Sequence, residues 1–499
     1  MTVAVKHFGR AAANSSSGAV PHSQSNRGDV PAELGAEVLG QKSRSEVLGA
    51  ELLNARSNCV IARERSCESW GVRTRIPALL AAPPTAEGRL YLLNARLFDG
   101  TGAAVRDAAA VLVEDGRIAR VGDASDATPE GARVLDVEWR TLLPGLIDAH
   151  VHVSGTVPQH AQGEEPIYEG TPHHFLQARL RDYLRRGVTT LRDVGSQGFQ
   201  PQEARQAMRY GAFRGPRLLT CGKIVSATAP GGRFYGTMYR EADGPDDVRK
   251  AVREQVRMGA DFVKVMTTGA RSNELEDPEP TQLTEAELAA FVDEARRLGM
   301  RIAAHVEGLS GTEAAIAHGM DTIEHGIYLN QRPDLLERMA ANGQVLVPTL
   351  SGYYWMAGLA RDVIDPSGAD ADPAMPSLLV ELAHYNLNQG SASMRAARDA
   401  GVKIAIGTDG GETAVELLRM VHHGLSPRDA FVAATRTAAD ALGIEEHVGT
   451  VEPGKLADIV IVDGDPLADP AVLDDPQRIW LVLQLGEPVA GAALERRLG

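Results

Sequence analysis

Three cysteines are few for a chain of 499 residues. Cys59, Cys67 and Cys221 show neither CxxC spacing nor the regularity of a disulfide framework, which excludes a disulfide-stapled domain. They also leave any metal-ligand role to other side chains, and a reducing compartment, the cytoplasm, fits this usage. No apolar run approaches the ~18 residues needed to span a bilayer, so no membrane association is expected. An excess of positive charge is missing too. Lys and Arg number 51 against 66 Asp and Glu, a formal net charge of −15, which argues against nucleic acid or an anionic membrane surface as partner. What remains is ordinary for a soluble chain with a large core: 43% hydrophobic and 23% charged residues.

The first 88 residues read differently from the rest. "AAANSSSGAVPHSQSNRGD" is polar and Ser/Gly-rich, and "AELGAEVLGQKSRSEVLGAELL" supplies at best one marginal amphipathic helix. Residues 1–88 are therefore expected to be a disordered extension. "VRTRIPALLAAPPTAEG" sets basic residues before a short apolar run, as a signal peptide does, but lies far from Met1, so secretion is not expected. An over-extended reading frame or a dispensable tail is the plainer account. No Met lies between Met1 and Met208, so a downstream start would need another codon.

From Arg89 the pattern becomes regular. "RLYLLNARLFDG", "AAAVLVEDGRIARVG" and "ARVLDVEWRTLLPG" are short strands with Asp-Gly turns, the first part of a small β-sandwich over residues 89–143. Residues 144–448 alternate strands with helical patterns such as "TEAELAAFVDEARRLG". Eight such units predict an α/β fold, a (β/α)8 barrel of the TIM type. Residues 449–499 return to short strands and are expected to complete the sandwich.

Within "LLPGLIDAHVHVSG", His150 and His152 are two residues apart on a strand, which sends both imidazoles to one side. A metal ion can use that spacing, but a lone H-x-H is weak evidence. Lys264 falls in the fourth barrel strand, His305 in the fifth, His325 in the sixth, and Asp409 ends the eighth. Each interrupts an apolar run, where burial without a partner is expensive. Singly, the histidines could be hydrogen-bonded core residues, Lys264 a snorkelling side chain and Asp409 a turn former. Together they mark the end of a barrel at which chemistry sits.

The motifs "PGLIDAHVH", "GVTTLRDVGS", "ADFVKVMTTG", "AAHVEG", "DTIEHGIYL", "IGTDGG" and "VEPGKLADIVIVDGDPL" occur in that order. The chain from about Arg89 onward resembles the metal-dependent amidohydrolase superfamily. More narrowly it resembles the imidazolonepropionase-like branch of Xaa-Pro dipeptidases, Zn-dependent carboxypeptidases and N-acyl-amino-acid hydrolases. The resemblance implies two divalent metal ions, with zinc expected. His150, His152 and Asp409 would bind one, His305 and His325 the other, and a carboxylated Lys264 would bridge them. It further implies a bridging hydroxide as nucleophile and Asp409 as catalytic acid and base. Mononuclear deaminases and imidazolonepropionase itself lack the strand-four lysine. Deaminases usually carry a Glu three residues after the strand-five His, where this chain has Gly308.

On the substrate side the pattern departs from the family. Relatives commonly show "GGHG" after the third strand, whereas this chain reads "GGRFYG", with Arg233 in the histidine's place. The glycines and aromatics suit a mobile lid. Arg233, Tyr235 and Tyr328 are the candidate substrate contacts, although a surface-paired Arg233 and a rim-packed Tyr328 are equally open. Arg192 is expected to pair with Asp193 or another carboxylate, and Glu307 is either a support behind the site or a simple salt bridge. The expected enzyme cleaves a carbon–nitrogen amide bond in a dipeptide or N-acyl amino acid with a free C-terminal carboxylate, and forms a homo-oligomer. The alternatives are a mononuclear imidazolonepropionase-like cyclic amide or amidine hydrolase, or a deaminase. A remoter one is a non-catalytic scaffold of the same fold.

Overall fold

In the computed structural model, which describes residues 88–154, 170–272, 275–372 and 377–498, apolar alternation and one tight turn organise the first sheet. β1 (Arg89–Leu97), β2 (Arg106–Glu114) and β3 (Arg117–Asp123) form an antiparallel meander. Glu114 pairs with Arg117 across Asp115 and Gly116, whose φ angles of 47° and 76° are those a two-residue hairpin loop demands. β4 (Arg133–Asp136) and β5 (Thr141–Pro144) pair parallel with the two ends of β1. The head expected to be disordered, residues 1–88, lies outside the described residues except for Gly88.

The barrel follows. β6 (Leu146–Val151), β7 (Val188–Asp193) and β8 (Arg217–Thr220) run parallel. β9 (Ile224–Ser226) and β10 (Tyr239–Glu241) form a short parallel pair at the rim. β11 (Val263–Met266), β12 (Ile302–Val306), β13 (Thr322–His325), β14 (Val345–Val347) and β15 (Lys403–Ile404) continue the parallel order. Backbone hydrogen bonds join the two arcs. Asp261 donates to Thr220 O at 2.9 Å on one side, and Ala149 to Ile406 O at 3.0 Å on the other.

The helices between the strands obey local rules. Glu285–Arg297 starts on a capping box in which Glu287 and Thr284 exchange side-chain and backbone bonds. Pro245–Arg257 opens with Pro245, Asp246 and Asp247 and buries Val248, Ala251, Val252 and Gln255, a helical stripe facing the barrel.

β16 (Ile459–Val462), β17 (Ile479–Gln484) and β18 (Glu487–Ala490) bring the chain back to the first sheet. β16 pairs antiparallel with β5, Ile459 opposite Pro144, so the two flanking segments share one eight-stranded sheet. Alternation then divides its residues between two cores. Ile459, Ile461 and Leu483 pack with Leu92, Val111 and Leu142 inside the sandwich. Val460, Val462 and Val482 join Leu143 in the barrel core. Among the described residues no helix is long and apolar enough to cross a membrane.

Candidate metal centre

The expected ligands converge at the C-terminal ends of the barrel strands, for reasons partly different from simple strand alternation. On β11 and β12 alternation suffices. Val263 and Val265 face the outer core, as do Ala304 and Val306, which leaves Lys264 and His305 facing inward. β6 ends at Val151 with a register shift after Asp148, so His152 lies beyond the strand rather than on it. Both imidazoles still reach the same carboxylate. His152 Nε2 is 3.1 Å and His150 Nε2 3.5 Å from Asp409 Oδ1. Asp409 lies on a turn past β15, with φ 54°, and its N–H bonds His150 O at 2.9 Å. His325 would point outward by alternation. Its φ of 70° instead ends β13 and turns the ring inward, 4.6 Å from His305 and 5.1 Å from His150 between centroids. Asp409 and His325 thus occupy left-handed backbone, a strained state that surrounding contacts must hold.

Each histidine has a partner for its second nitrogen, which fixes the other toward the centre. His150 Nδ1 lies 2.7 Å from Glu324 Oε2, and His325 Nδ1 2.7 Å from Thr349 Oγ1. His152 Nδ1 donates to Gly195 O, and His305 Nε2 lies 3.2 Å from Gly269 O. Glu324 is in turn held by Arg192 Nη2 at 2.8 Å, and Arg192 Nη1 donates to Thr322 Oγ1 at 3.0 Å. Arg192 therefore pairs with a carboxylate from the sixth strand. Asp193 instead accepts Val153 N at 2.9 Å and the Ser196 hydroxyl.

The donor set fits divalent cations. Burial, with the Lys264 charge, pushes His305 down to about 3. Burial, with His305 and His150, takes His325 well below the ordinary range. Both rings are thus neutral, with lone pairs to offer. Burial works to raise Asp409, but hydrogen bonds with His150 and His152 outweigh it and hold the carboxyl well below its usual value. The ligand atoms of His150, His152 and Asp409 all lie within 4.8 Å of one another. Lys264 is 2% exposed, and its Nζ has no hydrogen-bond partner. Burial pulls that amine down to about 8, against the opposing charge of Glu324. A bare buried amine facing imidazoles and carboxylates is a costly group that calls for a partner.

The substrate-side residues are more scattered. Tyr328 is buried on the rim, and its hydroxyl donates to Asn386 Oδ1 at 3.3 Å. Tyr235 ends the short helix Pro230–Tyr235, stacks on Tyr239 at 4.9 Å and bonds the Ser272 hydroxyl. Arg233 lies exposed on the same helix without a described hydrogen bond or ion pair. The segment expected as a lid is folded here, its Gly231 N–H donating to Glu276 Oε1 at 2.7 Å. Sequence reasoning missed Glu324, Thr349 and Arg271. Arg271 lies over the Tyr328 ring at 5.4 Å and 3.5 Å from Glu307, which is itself 3.8 Å from His305.

A (β/α)8 barrel with this constellation and a flanking two-segment sheet defines a metal-dependent hydrolase. The chain belongs to the amidohydrolase superfamily: the model of the Amidohydrolase family matches residues 141–489. It is 30% identical over 457 residues to the ochratoxinase of Aspergillus niger, spanning 84% of this chain and 90% of that one. A crystal structure of a Xaa-Pro dipeptidase with methionine bound in the active site superposes with a TM-score of 0.71 at 27% identity, covering 80% of this chain and 99% of the other. The imidazolonepropionase of Paracoccus denitrificans is 26% identical over 400 residues, 71% of this chain and 87% of the relative. The protein is accordingly a metal-dependent amidohydrolase acting on carbon–nitrogen bonds of small molecules.

Proposed function

We propose that the protein hydrolyses the amide of a dipeptide or N-acyl amino acid that ends in a free carboxylate, with two divalent metal ions, zinc foremost. The observation that supports two ions is Lys264. Its buried, unpartnered amine has been brought down to about 8, which leaves neutral amine available near neutral pH. Nζ can then bond to carbon dioxide with loss of one proton, and the carbamate offers two oxygens where an ammonium offers none. His150, His152 and Asp409 would hold one ion, His305 and His325 the other, with carboxylated Lys264 shared. When bound, such ions polarise an amide carbonyl and acidify a water.

The chain's own groups do the rest. Asp409 takes the proton of the attacking water and delivers it to the departing amine nitrogen. Tyr328 offers a hydroxyl to the substrate carbonyl, and Tyr235 packs against the substrate. Arg233 holds the terminal carboxylate, for which a guanidinium fork is suited. The relatives named ochratoxinase and Xaa-Pro dipeptidase are compatible with such a substrate.

One observation favours a mononuclear, imidazolonepropionase-like reading. Among the described residues, His150, His152 and Asp409 are the one group of three or more His, Cys, Asp or Glu side chains whose ligand atoms gather within 4.8 Å, a count that leaves lysine aside. Elemental analysis of the active full chain, with a panel of dipeptides and N-acyl amino acids, separates the two. Two ions per chain are expected, with loss of the second ion and of turnover in Lys264→Ala. One ion per fully active chain, or a fully active Lys264→Ala, overturns the binuclear proposal.

A further inference from the structure

The ends of two barrel strands supply the tightest cluster of candidate ligands. His150 and His152 come from the end of β6, and Asp409 from the turn beyond β15. That turn is strained, with φ 54° at Asp409 and 104° at Gly410. Thr408 and Asp409 both donate to His150 O, at 3.0 and 2.9 Å, which ties the turn to His150 from within the barrel. Those bonds reach neither the His152 carbonyl nor the Gly410 carbonyl on the far side of the turn.

One guanidinium covers both. Arg179, on the helix Thr171–Arg185, donates from Nη1 to His152 O at 3.2 Å and from Nη2 to Gly410 O at 2.9 Å. The two carbonyls belong to a ligand and to the residue directly after a ligand. They come from opposite ends of the barrel sequence, and a single planar fork spans them. Arg179 is half-buried beside the ring of Tyr183, its guanidinium carbon 5.8 Å from the ring centroid. The helix below it is anchored by Leu176, Leu180 and Leu184, which fixes where the fork sits.

We propose that Arg179 is a positioning residue of the metal centre, a clamp that sets the separation of His152 and Asp409 and so determines how tightly the ion between them is held. It acts through the backbone carbonyls of His152 and Gly410. The physical basis is geometric. A guanidinium presents parallel N–H groups in a rigid plane, whereas an ammonium is a point charge that cannot serve both carbonyls in the same way. Without the fork, the left-handed turn can relax and the two ligands drift apart, and a shift of that kind is costly to a site that needs fixed distances.

The test measures Zn2+ affinity of the full-length protein by competition with a chromogenic chelator, alongside the melting temperature of the metal-free form. Arg179→Ala is expected to weaken Zn2+ binding by ~10-fold or more, as for other groups that support metal ligands, while the metal-free melting temperature moves little. Arg179→Lys keeps the stem and charge, so it should fold as the parent does and still bind Zn2+ more weakly. Guanidinium ion added at millimolar concentration to Arg179→Ala should restore part of the affinity, and methylammonium should not. Parent-like Zn2+ affinity in either variant overturns the proposal. So does a weakened affinity that guanidinium and methylammonium restore equally, because charge alone would then suffice.

Discussion

Glu324 Oε2 lies 2.7 Å from His150 Nδ1, and both side chains are sealed from solvent. The same carboxylate meets Arg192, so a candidate ligand histidine is backed by an acid that is itself backed by a base. Burial works to raise Glu324, but the charges of Arg192 and Lys264 outweigh it and hold it well below the ordinary range. It therefore stays anionic, orients the His150 ring and adds to its basicity.

Glu324→Gln keeps the shape and removes the charge. Arg192 is then left buried without its counter-ion, a change worth about 3 kcal/mol in comparable sites. Metal affinity should fall ~10–100-fold. Chelator competition and urea unfolding measure the two effects separately. A variant unchanged in both would make the Glu324–His150 contact incidental.

Gly407→Ala probes the packing behind the same histidine. A Cβ at position 407 would sit 2.6 Å from His150 Cβ and 3.2 Å from its backbone nitrogen, and would also run into Val347. The histidine backbone is pinned by the bonds from Thr408 and Asp409, so it cannot yield cheaply. Overpacking of this kind costs ~1–3 kcal/mol. A lower melting temperature together with reduced metal content is expected. Loss of stability with full metal occupancy would show that the strain is absorbed by Val347 alone.

Asp409→Asn separates chemistry from conformation. Asn tolerates left-handed backbone well, so the turn at φ 54° should survive. The lost acid–base group should lower kcat by ~10²-fold or more, with a melting temperature close to that of the parent. Retained turnover in the folded variant would reduce Asp409 to a ligand and turn former.

Glu294 carries a pH prediction remote from the site. Arg253 Nε lies 2.7 Å from its Oε1 and Arg297 bonds the same oxygen. These arginines bring the carboxyl from 4.5 down to about 2. A lowered carboxyl stabilises the fold above the ordinary value of 4.5 and loses that contribution as pH falls toward 2. Both arginines are more than half exposed, at 57% and 56%, so solvent screens the effect and its size is modest. Glu294→Gln should be less stable than the parent at pH 6, with the gap closing between pH 4.5 and 2 in urea titrations. A gap independent of pH would assign the loss to packing.

Much of this site was legible because its residues break rules that apolar strands obey. A lysine in "VKVM" and histidines in "IAAHV" and "TIEH" stand out against β-branched neighbours, and Asp115–Gly116 announces its hairpin. Other features depend on facts that no local window contains. Arg192 and Glu324 are 132 residues apart, and only barrel closure makes them neighbours. The inward turn of His325 follows from a left-handed φ at a non-glycine residue, against the alternation of its own strand. Residues after the third strand read as a mobile lid because glycine and aromatic content is all the sequence offers there. Their pairing with Glu276 is tertiary.

Recognition of the carboxylate of the proposed substrate is tested by comparing two arginines. Arg233 is exposed and has no described partner, so a free guanidinium is available to an anion arriving from solvent. Arg271 is 10% exposed, lies over Tyr328, and is shared between Glu279 at 2.6 Å and Glu307 at 3.5 Å. Its charge is already engaged, and its removal would disturb Tyr328 and the carboxyl beside His305. Arg233→Ala should therefore raise KM for free-acid substrates ~10-fold or more, the scale of a lost charge-assisted hydrogen bond, while leaving their amide or ester counterparts nearly unaffected. Arg271→Ala should lower kcat for acids and esters alike. If the selective loss appears instead in Arg271→Ala, the carboxylate site moves inward to the Tyr328 side of the mouth. Equal losses for both substrate forms in Arg233→Ala would leave Arg233 as a surface residue, and the proposed preference for free acids would have to rest on other groups.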